Sequence, residues 1–174
     1  HPVTKQQLDV LDAAVAARMQ HSLTASQATT SGTAIDFTGI PSWAKRLTLN
    51  LSGVSFNASA VPIVQVGAGS IALSGYDSAC STITGAVGFS TATAMSGFTF
   101  NTQAAGDAIS GSLILTKLKD HTWVAQMAGK AGSNISFLGG GEVVLGGAPD
   151  RLRLTTVAGT ATFDAGEASL LIEG

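Results

Sequence analysis

From about residue 33 onward, apolar and polar residues alternate with a period of two. Ile35 and Phe37 flank Asp36; Leu47, Leu49 and Leu51 alternate with Thr48, Asn50 and Ser52; Phe98 and Phe100 flank Thr99; Leu113 and Leu115 flank Ile114; Leu152 and Leu154 flank Arg153. Such alternation belongs to strands with one face in a core and the other in water. Gly-rich punctuation at 67–69, 129–132, 139–141 and 146–149 separates the runs, which predicts about nine to eleven strands. Many short strands with frequent turn signals point to an antiparallel sandwich, because a parallel sheet would need helical crossovers. No fixed-period repeat is visible, which disfavours a propeller or β-helix.

Ahead of this region the period is helical. Thr4 and Gln7 have capping-box spacing, and Leu8, Leu11, Val15 and Met19 follow at i, i+3, i+7 and i+11 among helix-favouring alanines. The pattern predicts a helix over residues 4–21. So short a helix is marginal alone, and its narrow stripe calls for a partner, either the following domain or the same helix of neighbouring subunits. Residues 22–32 read as a small-residue linker. The expected organisation is therefore 1–29, helix and linker, and 30–174, an all-β, antiparallel, jelly-roll-like sandwich. His1 rather than Met in first place leaves room for a preceding segment.

Composition sharpens this picture. The 174 residues are 45% hydrophobic but only 11% charged, against about a quarter in an ordinary globular protein. With 21 Gly, 18 Ser and 19 Thr, the polar surface must consist largely of hydroxyls, and part of it is expected to be covered by identical copies. A net charge of −2 and no basic run longer than Lys45-Arg46 argue against nucleic acid. No apolar run is long enough to span a bilayer, so no membrane insertion is expected. Cys80 has no second cysteine to pair with and reads as a small buried strand residue.

Two motifs invite chemistry and then lose it. Gly67-Ala68-Gly69-Ser70-Ile71-Ala72 matches a dinucleotide-binding loop, but that loop needs a following helix and an acid about twenty residues on. Ile71 and Leu73 continue a strand pattern instead, so a hairpin turn is expected. Phe163-Asp164-Ala165-Gly166 resembles an aspartic-protease loop but lacks the hydroxyl residue that orients the carboxylate, and reads as an Asx-type turn. Three scattered histidines give no zinc site, and Asp107, Asp120 and Asp150 show no pairing of the kind a glycosidase needs. No catalytic residue, metal or cofactor is nominated. The aromatics are more informative: Trp43 reads as a packing anchor, whereas Tyr76-Asp77 and Asp120-His121 with Trp123 place aromatic rings beside hydrogen-bonding groups. That is the usual means of gripping a sugar, although for Trp123 core packing is the favoured reading.

Residues 30–46 (TSGTAIDFTGIPSWAKR) resemble the opening of a C-terminal domain of phage and prophage tail-fibre proteins, and residues 150–157 with 162–166 are similar to its end. The resemblance implies a homotrimeric receptor-binding head at the tip of a virion tail, with residues 1–29 as its stalk or trimerisation segment, made in the bacterial cytoplasm and recognising a surface polysaccharide or lipopolysaccharide; with no catalytic motif found, a non-catalytic role is expected. It carries over no catalytic or binding residue. The competing expectations are a polysaccharide depolymerase and a purely structural baseplate or decoration protein.

Overall fold

A computed structural model describes residues 4–18, 20–84 and 88–174. The chain is all-β and antiparallel, with one short N-terminal helix, α1 (Lys5–Arg18). The strands are β1 (His21–Leu23), β2 (Gln27–Ala28), β3 (Ile35–Thr38), β4 (Arg46–Phe56), β5 (Pro62–Ala68), β6 (Ser70–Ile71) and β7 (Tyr76–Thr84). They continue with β8 (Gly88–Ala94), β9 (Phe98–Thr99), β10 (Ile109–Lys119), β11 (Thr122–Ala131), β12 (Ile135–Val144), β13 (Arg151–Thr156) and β14 (Phe163–Glu173). Nine of them form a large sheet in the order β1-β14-β4-β10-β11-β12-β7-β8, with β2 also paired to β14. The other five form a small sheet, β3-β13-β5-β6, with β9 paired to β5.

The predicted capping box starts the helix: the Gln7 amide N–H donates to Thr4 Oγ1 at 3.3 Å, and the Thr4 N–H to Gln7 Oε1 at 3.0 Å. The helix ends earlier than its periodicity suggested. His21 to Leu23 pair with Glu173 to Leu171 and residues 27–28 with 168–167, so much of the expected linker belongs to the sheet. Edge pairing satisfies this backbone, and small hydroxyl side chains are no obstacle to it. Met19 lies outside the described residues.

The two sheets face each other across one core. Leu47, Leu49 and Leu51 of β4, Leu113 and Leu115 of β10 and Leu170 of β14 line the large sheet's inner face, and Ile35, Phe37, Val64, Val66, Leu152 and Leu154 oppose them. Each of these pairs or triplets follows the alternation of the sequence. Phe98-Thr99-Phe100 departs from it, because Thr99 is as fully buried as its neighbours. This segment closes the sandwich beneath β7 and β12, with Phe98 edge-on to Tyr76 and Phe100 edge-on to Phe137. Polar groups along it are paired: the Thr99 N–H donates to Ser78 Oγ at 2.9 Å, and Asn101 Nδ2 to Thr82 Oγ1 at 3.0 Å. Cys80, between Ser78 and Thr82 on the same inward face, is buried as expected, and desolvation pushes its thiol pKa up.

Tyr76 fastens one sheet to the other. Its hydroxyl accepts the Val66 N–H at 2.8 Å and lies 3.1 Å from the carbonyl oxygens of both Val66 and Ala72, its possible acceptors. It thereby serves a β5 backbone group in the gap between β6 and β9. Burial raises its pKa to about 12, outweighing the backbone hydrogen bond that favours the phenolate. A pKa raised in the folded state means stability that is intact below pH 10, the ordinary value, and declines as pH rises toward 12. Because Tyr76 is the only tyrosine, phenolate absorbance reports it alone. Urea midpoints should fall together with phenolate formation above pH 10, and Tyr76→Phe should lower stability at neutral pH by about 1–3 kcal/mol through the unpaired Val66 N–H.

Candidate functional site

The five residues singled out as sugar contacts do not come together on the surface. Trp123 is fully enclosed by the core, its indole Nε1 without an acceptor among the described residues, and Tyr76 is the inter-sheet fastener just described. Both sit at inward positions of their strands, where a large ring removes most apolar area from water. Asp77 is exposed on the opposite side of β7, directly across from Glu142. Asp120 and His121 form the tight exposed turn between β10 and β11, Asp120 with a positive φ of 42°. Of the five, only the polar members reach solvent. Leu8, Leu11 and Val15 lie on α1 at 49%, 61% and 48% exposure, and none is covered by the sandwich.

The discarded motifs resolve into backbone devices. Residues 67–71 make a hairpin in which Gly67 pairs with Ile71 around Gly69, whose φ of +79° suits a residue without Cβ. Asp150 Oδ1 accepts the Gly69 N–H at 3.1 Å and Arg151 Nε at 2.8 Å, and the Arg151 hydrogen bond holds the Asp150 pKa below its usual value. Asp164 does not make an Asx turn. It lies in a bulged stretch of β14, where the ladder shifts register against β4 on either side of Ala165, and its carboxylate accepts the Ser55 hydroxyl instead. Asp107 and Asp120 sit beyond opposite ends of β10, roughly 35 Å apart at the rise of an extended strand, so this carboxylate pair cannot work on one glycosidic bond.

The outward face of the large sheet is a surface that periodicity alone could not assemble. Register places Leu171, Thr48, Ile114, Gln126, Gly140, Ala79 and Thr93 in one row across seven strands. The next row holds Ser169, Asn50, Ser112, Ala128, Leu138, Ser81 and Thr91. Neither row contains an ionisable group. Charges flank them, with Arg46, Glu173, Glu142 and Asp77 to one side and Glu167 and Lys130 to the other. A solvent-facing antiparallel sheet ordinarily turns polar and charged side chains outward, so a neutral band this wide is a chemical feature of the molecule.

Two hollows indent the band. One, about 250 Å³, is bordered by Ser112, Ile114, Gln126, Ala128 and Leu138, with Gly139 at its side. The other, about 180 Å³, lies among Ser26, Asn50, Ser52, Glu167 and Ser169, where Ser26 Oγ donates to Glu167 Oε2 at 2.5 Å. The band thus offers hydroxyl and amide groups that both donate and accept, beside exposed aliphatic surface such as Leu138, 58% exposed. Among the described residues, no three His, Cys, Asp or Glu side chains cluster as a metal site would require.

The small sheet's outward face differs. Arg153 makes a two-pronged pair with Asp36, Nε to Oδ1 at 2.7 Å and Nη2 to Oδ2 at 2.8 Å, and these bonds lower the Asp36 pKa. Its charges are already matched to one another.

No family model matches the sequence, and no curated protein matches it. Among solved structures, CG-16, a homodimeric agglutinin from chicken liver, is 9% identical, with 78% of this chain and 98% of that chain covered and a TM-score of 0.33. A protein of unknown function from Shewanella oneidensis MR-1, SO2946, is also 9% identical, with 88% and 75% covered and a TM-score of 0.33. At these values neither likeness bears on function.

The band depends on β12 lying close against β7, and Gly139 and Gly141 permit it. A Cβ at Gly141 would stand 2.2 Å from the Asp77 carbonyl oxygen, whereas one at Gly146 would meet nothing within 4 Å. Gly141→Ala should therefore cost about 1–3 kcal/mol in urea unfolding, with Gly146→Ala close to neutral.

Proposed function

We propose that the chain is a non-catalytic adhesion module, the head of a phage tail fibre, which binds a bacterial surface glycan on the outward face of its large sheet and works as a homotrimer. The observation that carries the proposal is the neutral band. A saccharide presents many hydroxyls and little or no charge, and Thr48, Asn50, Ser112 and Gln126 can exchange hydrogen bonds with it without the desolvation of ions. Patches of CH on a sugar ring find Ile114 and Leu138 alongside. Long paired strands hold these groups in place, so little ordering is needed on binding. The tail-fibre setting is supported by the resemblance of residues 30–46 and of 150–157 with 162–166.

The trimer is supported by α1. An isolated helix of 14 residues is marginal in water, and its Leu8, Leu11 and Val15 are uncovered. Three such stripes meeting on one axis would bury each other and carry three heads, whose weak sites add by multivalency.

Adsorption to bacteria with and without their surface polysaccharide tests the binding claim. An Asn50→Leu/Gln126→Leu variant should lose about tenfold or more in adsorption while keeping its urea midpoint. Equal adsorption by the variant, no adsorption by the parent, or shortened polysaccharide chains after incubation would overturn the reading; the last would favour a depolymerase and the second a structural virion part. Light scattering should give three times the 17.4 kDa chain mass, and Leu8→Glu/Leu11→Glu should reduce it to one.

A further inference from the structure

Where β1 begins, the sandwich has an open end with a hollow of about 410 Å³ lined by Gln20, Ser42, Trp43, Lys45, Lys117 and Gly174. The Pro41–Ala44 turn, closed by the Ala44 N–H on the Pro41 carbonyl at 3.0 Å, presents Trp43 half-buried at its side. Gly174 packs against part of the indole: a Cβ at that position would stand 2.9 Å from Trp43 Cε3. Lys45 and Lys117 lie on neighbouring chains, joined by the Lys117 N–H to the Lys45 carbonyl at 2.8 Å. Neither ammonium group meets a carboxylate among the described residues, and Glu173 is engaged with Arg46 at 3.5 Å.

Two like charges held side by side with no carboxylate side chain paired to either are unfavourable, and here they stand beside the half-buried Trp43 ring with Gln20 and Ser42 at hand. We propose that this hollow is a second saccharide site, selective for a sugar that carries an anionic group, a carboxylate or a phosphate. The ring packs on Trp43, the two ammonium groups take the anion, and the Gln20 amide and Ser42 hydroxyl serve the sugar hydroxyls. An ammonium is a point charge that suits either anion. The proposal rests on the glycan-binding reading only for its class of ligand, since it uses none of the residues of the neutral band.

Intrinsic fluorescence tests it directly, because Trp43 and Trp123 are the only tryptophans and Trp123 is fully buried. The intact protein is titrated with tri-galacturonic acid and its methyl ester, and separately with mannose 6-phosphate and mannose. Saturable change with either acid, at least about tenfold tighter than with its neutral counterpart and weakened about tenfold by Lys45→Gln/Lys117→Gln, is expected; which acid responds names the anion. Equal response to acid and neutral sugar, no response to either acid, or full binding by a lysine variant with a parental urea midpoint would overturn the proposal. Should the double variant fail to fold, Lys117→Gln and Lys45→Gln are compared singly. Acid binding that persists while cell adsorption is absent would count against the neutral band alone, and adsorption without acid binding against this hollow alone.

Discussion

The whole architecture depends on a mismatch of widths: a nine-stranded sheet must bury one apolar face against a five-stranded one. Over β14, β4 and β10 the small sheet suffices, and leucines meet valines and leucines in a dry core. Toward β12 and β7 it falls short. There only its short strand β9 and the residues that follow, 98–103 and buried nearly throughout, complete the second layer. A single closing segment cannot satisfy its backbone with strands on both sides, and so the inward positions of β7 alternate between Tyr76 and Cys80 on one hand and Ser78 and Thr82 on the other. The Ser78 hydroxyl takes over a hydrogen bond that a further strand would have made, accepting the Thr99 N–H, and the Thr82 hydroxyl holds the Asn101 side chain. Tyr76 does the same for β5 and thereby fixes the spacing of the two layers.

This constraint explains which parts of the fold were legible in the sequence. Leu47, Leu49 and Leu51, or Leu152 and Leu154, lie where sheet opposes sheet, so burial alternates and the period of two reads true. Thr99 lies where a lone segment is covered from both sides, and a hydroxyl there carries no sign of its burial. His21 to Ala28 pair with β14 although their composition is that of a linker, because edge pairing asks for backbone rather than side chains. Thr4 and Gln7 were readable because a helix cap is local.

The candidate site was less legible still. Aromatic rings beside polar residues suggested a sugar-binding loop, yet Tyr76 and Trp123 occupy inward strand positions, and only register over many strands decides that. The neutral band has the opposite problem: Thr48, Ile114, Gln126 and Leu138 are far apart in sequence and become neighbours through three separate pairings. Low overall charge was the one available signal, and it gave no location. Lys45 and Lys117 escaped notice for the same reason, being seventy-two positions apart and adjacent only through the β4–β10 ladder.

The three ion pairs described here all lie at the surface, one of them between sequence neighbours. Pairs so placed contribute little to stability and are weakened further by salt, whereas apolar burial and strand pairing are hardly affected. A body held together in this way changes little between dilute fresh water and brine. The same holds for a grip made from hydroxyls, amides and aliphatic carbon. Salinity would act on the molecule mainly where like charges face each other, at the end where two lysines share a hollow and where Asp77 lies across from Glu142, and hardly on the neutral face between.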